Sequence, residues 1–212
     1  MNRRTTPPIT QATRHTAIIG DPVGLWSKLA WDVDVFRDIQ VGYPTEVEPL
    51  SYAAINVCIA AGSLRNWVEN VEARAARARG TAFDREGFLS AMHRAVPEQA
   101  ACEAIANTAK HARVADGEWP GGEVRLEWRE GDEDVPPGYV LLHSDESGCV
   151  GVAVGRFDAL CGNWWSHLVA SGLAAGQRRI PDWQQRKLHR IFGRRYEPIC
   201  GSSETSGQGA AK

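Results

Sequence analysis

The sequence predicts an α+β protein: an N-terminal bundle of about four helices, then a three-stranded antiparallel meander, then a C-terminal helix. Three observations predict it. Apolar residues recur in steps of three and four across residues 21–112, the period of a helix face. From Val124 the period changes to two, the period of a half-buried strand. Helices come as a run and strands come as a run, without the strand–helix alternation of a parallel sheet.

Residues 1–20 read as a flexible arm, because Pro7, Pro8 and the surrounding threonines favour extended chain. A first helix is predicted from Asp21-Pro22. The carboxylate can cap free N–H groups, and proline suits the first helical position, where its missing N–H is not needed. Leu25, Leu29, Val33, Phe36 and Ile39 supply its apolar face, and Gly42 its stop. Thr45 and Glu48 have the spacing of a capping box before a second, long helix. Leu50, Ala54, Val57, Ala61, Leu64, Val68, Val71 and Ala75 form a narrow stripe along it, ended by Gly80. A third helix is expected from an Asp84 cap through Phe88, Leu89 and Met92. A fourth spans about 97–112, with a face of small residues (Ala101, Ile105, Thr108, Ala112) that permits close approach.

Val124, Leu126 and Trp128 alternate with charged residues and predict the first strand, with Gly121-Gly122 as the turn before it. Tyr139 to His143 and Cys149 to Val154 make the other two strands. Phe157, Leu160, Trp164 and Leu168 mark a last core helix. The expected organisation is one globular domain over 21–175, with the bundle at 21–112 and the meander plus helix at 119–175. A basic aromatic helix at 176–199 and a disordered, small and polar tail at 200–212 follow.

Composition limits function more than it assigns it. The 43% apolar and 24% charged fractions over 212 residues are ordinary for a globular chain. A net charge of −2 gives no global attraction to nucleic acid or acidic membranes. The five cysteines are odd in number and none are at CxxC spacing, which argues against a disulfide framework or zinc knuckle and for reduced thiols filling the core. The N-terminus has no apolar run of signal-peptide length, and no stretch reads as the roughly 20 apolar residues of a membrane span. A cytoplasmic setting is expected. His15, His93, His143, His167 and His189 show no metal-ligand spacing, and Asp34 with Asp38 reads as a solvated pair. No metal or cofactor site is predicted, and Trp164-Trp165 reads as core aromatic.

Chemistry is expected first on the fourth helix. Glu103, Asn107, Lys110 and His111 are three and four apart, so they fall on one polar stripe. A histidine can exchange a proton near neutral pH, a lysine can neutralise a phosphate oxygen, and an Asn can orient either. These are the parts of a metal-independent cut in RNA, where the 2′-hydroxyl is the nucleophile. An ordinary solvated face with a histidine near the helix C-terminus explains the same residues.

The segment Ala106-Asn107-Thr108-Ala109-Lys110-His111 resembles the signature of the HEPN superfamily, which is an Arg, four to six further residues and a His, often with Asn after the Arg. The resemblance implies a helical bundle over 21–112, often dimeric, with RNA cleavage or binding in bacterial stress and defence. By it, Asn107 takes the polar position and His111 the catalytic one, while the Arg position falls on Ala106. Bundles without that Arg are expected to bind or scaffold rather than cut. A binding or scaffolding protein, a homodimer with RNA or a protein as partner, is therefore the leading expectation. An endoribonuclease using His111, Asn107 and Lys110 is one alternative, and an accessory subunit without nucleic acid is another.

The second candidate is the basic segment. Arg178, Arg179, Arg186, Lys187, Arg190, Arg194 and Arg195 are opposed only by Asp182 across 176–196, so seven minus one gives a local charge of +6. Trp183, Phe192 and Tyr196 interleave, as in segments that follow a phosphate backbone while rings stack on bases. An amphipathic helix docked by its apolar residues is the plainer reading of the same run.

Overall fold

A computed structural model describes residues 12–112, 117, 119–133, 136–148 and 150–178. The elements are α1 (Thr13–Thr16), α2 (Pro22–Gly42), α3 (Val47–Ala78), α4 (Arg85–Ala95), α5 (Gln99–His111), β1 (Glu123–Arg129), β2 (Gly138–Ser144), β3 (Val150–Val152) and α6 (Ala153–Ala170). The sheet is antiparallel in the order β1-β2-β3, so the α+β architecture read from the sequence is the one observed.

Two helix starts, those of α2 and α4, carry a side-chain cap. Asp21 accepts from the Gly24 N–H at 2.7 Å and caps α2, with Pro22 at its first position. Asp84 does the same for α4 through Gly87 at 2.9 Å. The capping box expected at Thr45 and Glu48 does not form. Glu46 is the N-cap of α3 and makes no side-chain cap. Pro49 sits in the first turn of α3, where a missing N–H leaves no helical bond unmade. The predicted arm is also not all extended. Residues 13–16 form one helical turn, and Ile19 packs against the core.

The core lies between α2, α3 and α6. Leu29, Phe36, Val57, Leu64, Val68, Phe157, Leu160, Trp164 and Leu168 are each wholly buried. Phe36 and Phe157 meet edge to face at 5.0 Å, locking α2 to α6. Trp164 joins this core, while Trp165 stacks at 4.6 Å on Trp26. Cys58, Cys102 and Cys161 are buried and free. The most apolar stretch of α3 has mean hydropathy 1.3, and half of it is buried inside the fold. It is more apolar than the sequence reading allowed, because no charged residue falls between Glu48 and Arg65.

The sheet departs from simple alternation. In β1 only Leu126 packs on the core, while Val124 and Trp128 are 40% and 43% exposed. β1 is an edge strand, and Trp128 finds its partner across the ladder in Tyr139 at 5.2 Å. Three consecutive residues of the central strand β2, Leu141, Leu142 and His143, are buried. Successive strand side chains point to opposite faces, so both faces are covered there.

Polar contacts tie the helices together. Asp34, expected to be solvated, is 3% exposed and pairs with Arg37 at 3.1 Å, while Arg37 also reaches Asp158. Glu103 is 2% exposed and accepts from Arg65 Nε at 3.0 Å and from Gln99 Nε2 at 2.8 Å. Gln99 in turn accepts from the Trp164 indole at 2.8 Å. The chain Arg65–Glu103–Gln99–Trp164 therefore joins α3, α5 and α6. Glu103→Ala is expected to lower stability by about 1–3 kcal/mol, because it removes one of the two carboxylates that meet the largely buried Arg65 guanidinium and leaves it to Glu69 at 2.9 Å. Urea unfolding of the variant checks this, and a loss below about 0.5 kcal/mol would show that Glu69 and water suffice for Arg65.

Candidate functional site

The predicted polar stripe on α5 is divided by the fold. Glu103 turns inward to Arg65, while Asn107, Lys110 and His111 are exposed on the last turns. Ala106, at the position of the HEPN arginine, is 2% exposed within the core. A guanidinium could not take that place without displacing packed side chains. The side chains of Asn107, Lys110 and His111 make no hydrogen bond or ion pair among the described residues. They stand on an open surface, without the converging groups that acid–base catalysis needs. Of the basic segment only Arg178 is described. Its guanidinium lies 5.2 Å from the ring centre of Trp26, the geometry of a cation–π contact. Arg179, Arg186, Lys187, Arg190, Arg194 and Arg195 lie outside the described residues. Among the described residues no three His, Cys, Asp or Glu side chains gather as a metal site.

The concave site lies elsewhere on α5. A cavity of ≈ 360 Å³ opens between α3, α5 and the sheet. Ser51, Ala54 and Ile55 come from α3, Ala104, Ile105, Thr108 and Ala109 from α5, and Val124, Leu141 and His143 from the strands. Trp119 and Gly122 complete the wall. At 3.6 residues per turn, the mean direction of 104, 105, 108 and 109 lies roughly 140° from that of 107, 110 and 111. The cavity and the stripe are therefore on different sides of one helix.

Each wall has a local cause. The small residues of α5 permit close helix approach, but beside the sheet they leave space that no large side chain fills. Trp119 is held by a turn in which the Gly122 N–H donates to the Trp119 carbonyl at 3.0 Å. A Cβ on Gly122 would lie 2.2 Å from the indole, so glycine is required for the ring to lie there. The Glu146 N–H donates to the Pro120 carbonyl at 3.1 Å and anchors this turn to the β2–β3 connection.

His143 is the polar feature of the cavity. It is 1% exposed, with its ring edge to face with Trp119 at 5.9 Å and with Phe157 at 5.5 Å. Its Nε2 is buried without a hydrogen-bond partner. Burial, and secondly the charge of Arg156, lower its pKa to about 4. The proximity of Arg156 has a geometric reason. Gly151 pairs with His143 across the ladder, and the Arg156 side chain lies over the place a Gly151 Cβ would fill. The imidazole is thus neutral at pH 7, with one N–H donor and one acceptor. None of the described lining residues is Asp, Glu, Lys or Arg.

No family model matches the chain, and neither a curated protein nor a solved structure does.

Nothing in the spacing of His143 marked it out, since it has no partner at ligand spacing. One signal was present. A histidine at the end of an apolar strand run, with Gly151 shortly after it, marks a polar group entering a packed layer.

Two outcomes follow. His111→Ala is expected to change stability by less than about 0.5 kcal/mol in urea unfolding, because the side chain is exposed. His143 acts through pH. Its folded pKa lies below the ordinary value of 6.5, so the unfolded chain binds the proton first as pH falls. Its contribution to stability is whole above about pH 6.5, is lost between about 6.5 and 4, and is constant below. The loss is on the order of 3 kcal/mol across that window. His143→Phe should flatten this part of the pH–stability curve relative to wild type.

Proposed function

We propose that this chain is a binding protein for a small, uncharged molecule, seated in the cavity between α3, α5 and the sheet. One observation carries this reading. Among the described residues the cavity wall is largely apolar, its polar groups are the Ser51 and Thr108 hydroxyls and the His143 ring, and none of it is Asp, Glu, Lys or Arg. Apolar walls with a few placed polar groups are the usual composition of a ligand pocket, and the volume is within the usual range.

The test uses N-phenyl-1-naphthylamine, a neutral probe that brightens on leaving water. Saturable binding with one site per chain is expected. Ala104→Trp, which projects an indole into the cavity from α5, should weaken it at least ten-fold, with the helical circular dichroism unchanged. Equal binding by the two proteins would place the probe elsewhere and sink the reading.

A second reading is the HEPN-like scaffold for RNA or a protein partner, cytoplasmic and dimeric. Its support is the shared exposure of Asn107, Lys110 and His111 on the last turns of α5. A gel shift with single-stranded RNA across a salt series tests it. Lys110→Glu should then weaken binding several-fold at low salt, because it reverses a phosphate contact. RNA left intact in EDTA at protein excess would remove the nuclease alternative.

A further inference from the structure

We propose that β1 recognises itself: its outer edge pairs antiparallel with β1 of a second copy of this chain, about a two-fold axis at Leu126, and joins the two three-stranded sheets into one. This interface goes beyond the ligand reading and does not rest on the cavity.

β1 is the outer strand in the order β1-β2-β3. Such a strand presents N–H and C=O groups on which another strand can pair. Among the described residues, its backbone bonds only across the ladder to β2. Every residue of β1 except Leu126 and Glu127 is exposed. The helices leave the Leu126 face open at this edge, since Val124 and Trp128 on either side of Leu126 are 40% and 43% exposed.

The order of residues says what fits there. In an antiparallel pair, directly opposite side chains project from the same face. Turned about Leu126, the sequence Glu-Val-Arg-Leu-Glu-Trp-Arg is its own complement. Glu123 stands opposite Arg129 of the second copy, Val124 opposite Trp128, Arg125 opposite Glu127, and Leu126 opposite itself. One face then carries only ion pairs, and the other valine–tryptophan pairs on each side of a leucine pair. The two-fold axis repeats every pairing. Among the described residues the Glu123 and Arg125 side chains have no ion pair, and Arg129 has only Glu127 of its own strand, at 3.5 Å.

Other alignments fail by charge. An axis at Arg125 sets Arg125 against itself and Glu123 against Glu127. An axis at Glu127 sets Glu127 against itself and Arg125 against Arg129. An axis between residues sets charged side chains against apolar ones, and a parallel in-register pairing stacks Glu on Glu and Arg on Arg. Like charges directly opposite are destabilising. A run of one sign would repel a copy in every register, whereas the alternating run on β1 attracts one along its whole length in a single register.

Sedimentation equilibrium of the full chain across the micromolar range is expected to show a reversible dimer. Arg125→Glu and Glu127→Arg each set like charges opposite one another on both sides of the axis. Each should raise the dimer dissociation constant about ten-fold or more. Mixed together, the two variants should pair at wild-type strength, because every inner pair is then opposite in sign. The chain carrying both substitutions should dimerise as wild type does. Glu123→Arg with Arg129→Glu gives an independent cycle on the outer pair if circular dichroism shows that an inner variant does not fold. A wild-type chain that is monomeric throughout that range overturns the proposal. So does a dimer indifferent to the single reversals, which would place the contact elsewhere, for instance along α5. Weakening by the single reversals without recovery in the mixture and in the double variant overturns the register about Leu126.

Discussion

The pairing of Glu103 with Arg65 fixes how α5 lies, and much else follows from it. A carboxylate at 2% exposure is stable only where its charge and lone pairs are met. Arg65 on α3 and Gln99 one turn back both donate to its Oε1, His93 Nε2 lies 3.7 Å from its Oε2, and Gln99 is itself held by the Trp164 indole from α6. These bonds have directions, and they hold α5 in the rotation that buries Ala106, leaves Asn107, Lys110 and His111 to solvent, and turns Ala104, Ile105, Thr108 and Ala109 toward the cavity.

The cavity is the other consequence. Helix α5 meets α3 closely through its small residues but cannot also fill the space against β1 and β2. Trp119, brought over by a turn that needs Gly122, closes part of it. A single imidazole is left inside, surrounded by rings and kept neutral by burial with Arg156 nearby. This described wall is the basis on which binding of an uncharged guest is proposed.

The helices were legible because their signals are local. Asp21-Pro22 and Asp84 act on N–H groups within one turn, and the stripe from Leu50 to Val68 needs only a partner of any kind to be buried. The capping box at Thr45 and Glu48 was legible and absent, since the chain enters α3 two residues later, at Val47. Val124 and Trp128 were read as inward because alternation names a face, not whether that face is covered. At the edge of this sheet it is not. Asp34 and Glu103 were read as solvated because a carboxylate in sequence carries no record of the arginine that will meet it, which in one case is 38 residues away.

The candidate site was hardly legible at all. Its wall draws on α3, α5, the turn at 119–122 and two strands, and none of these pieces is unusual alone. By itself the sequence determined the class of fold, the order of its elements and most of the core, because those depend on periodicity and on contacts within a turn or two. Tertiary structure decided which polar residues are buried, which side of α5 is concave and that His143 is the group inside it. These depend on charges and volumes meeting across long stretches of chain, and no local pattern encodes such a meeting.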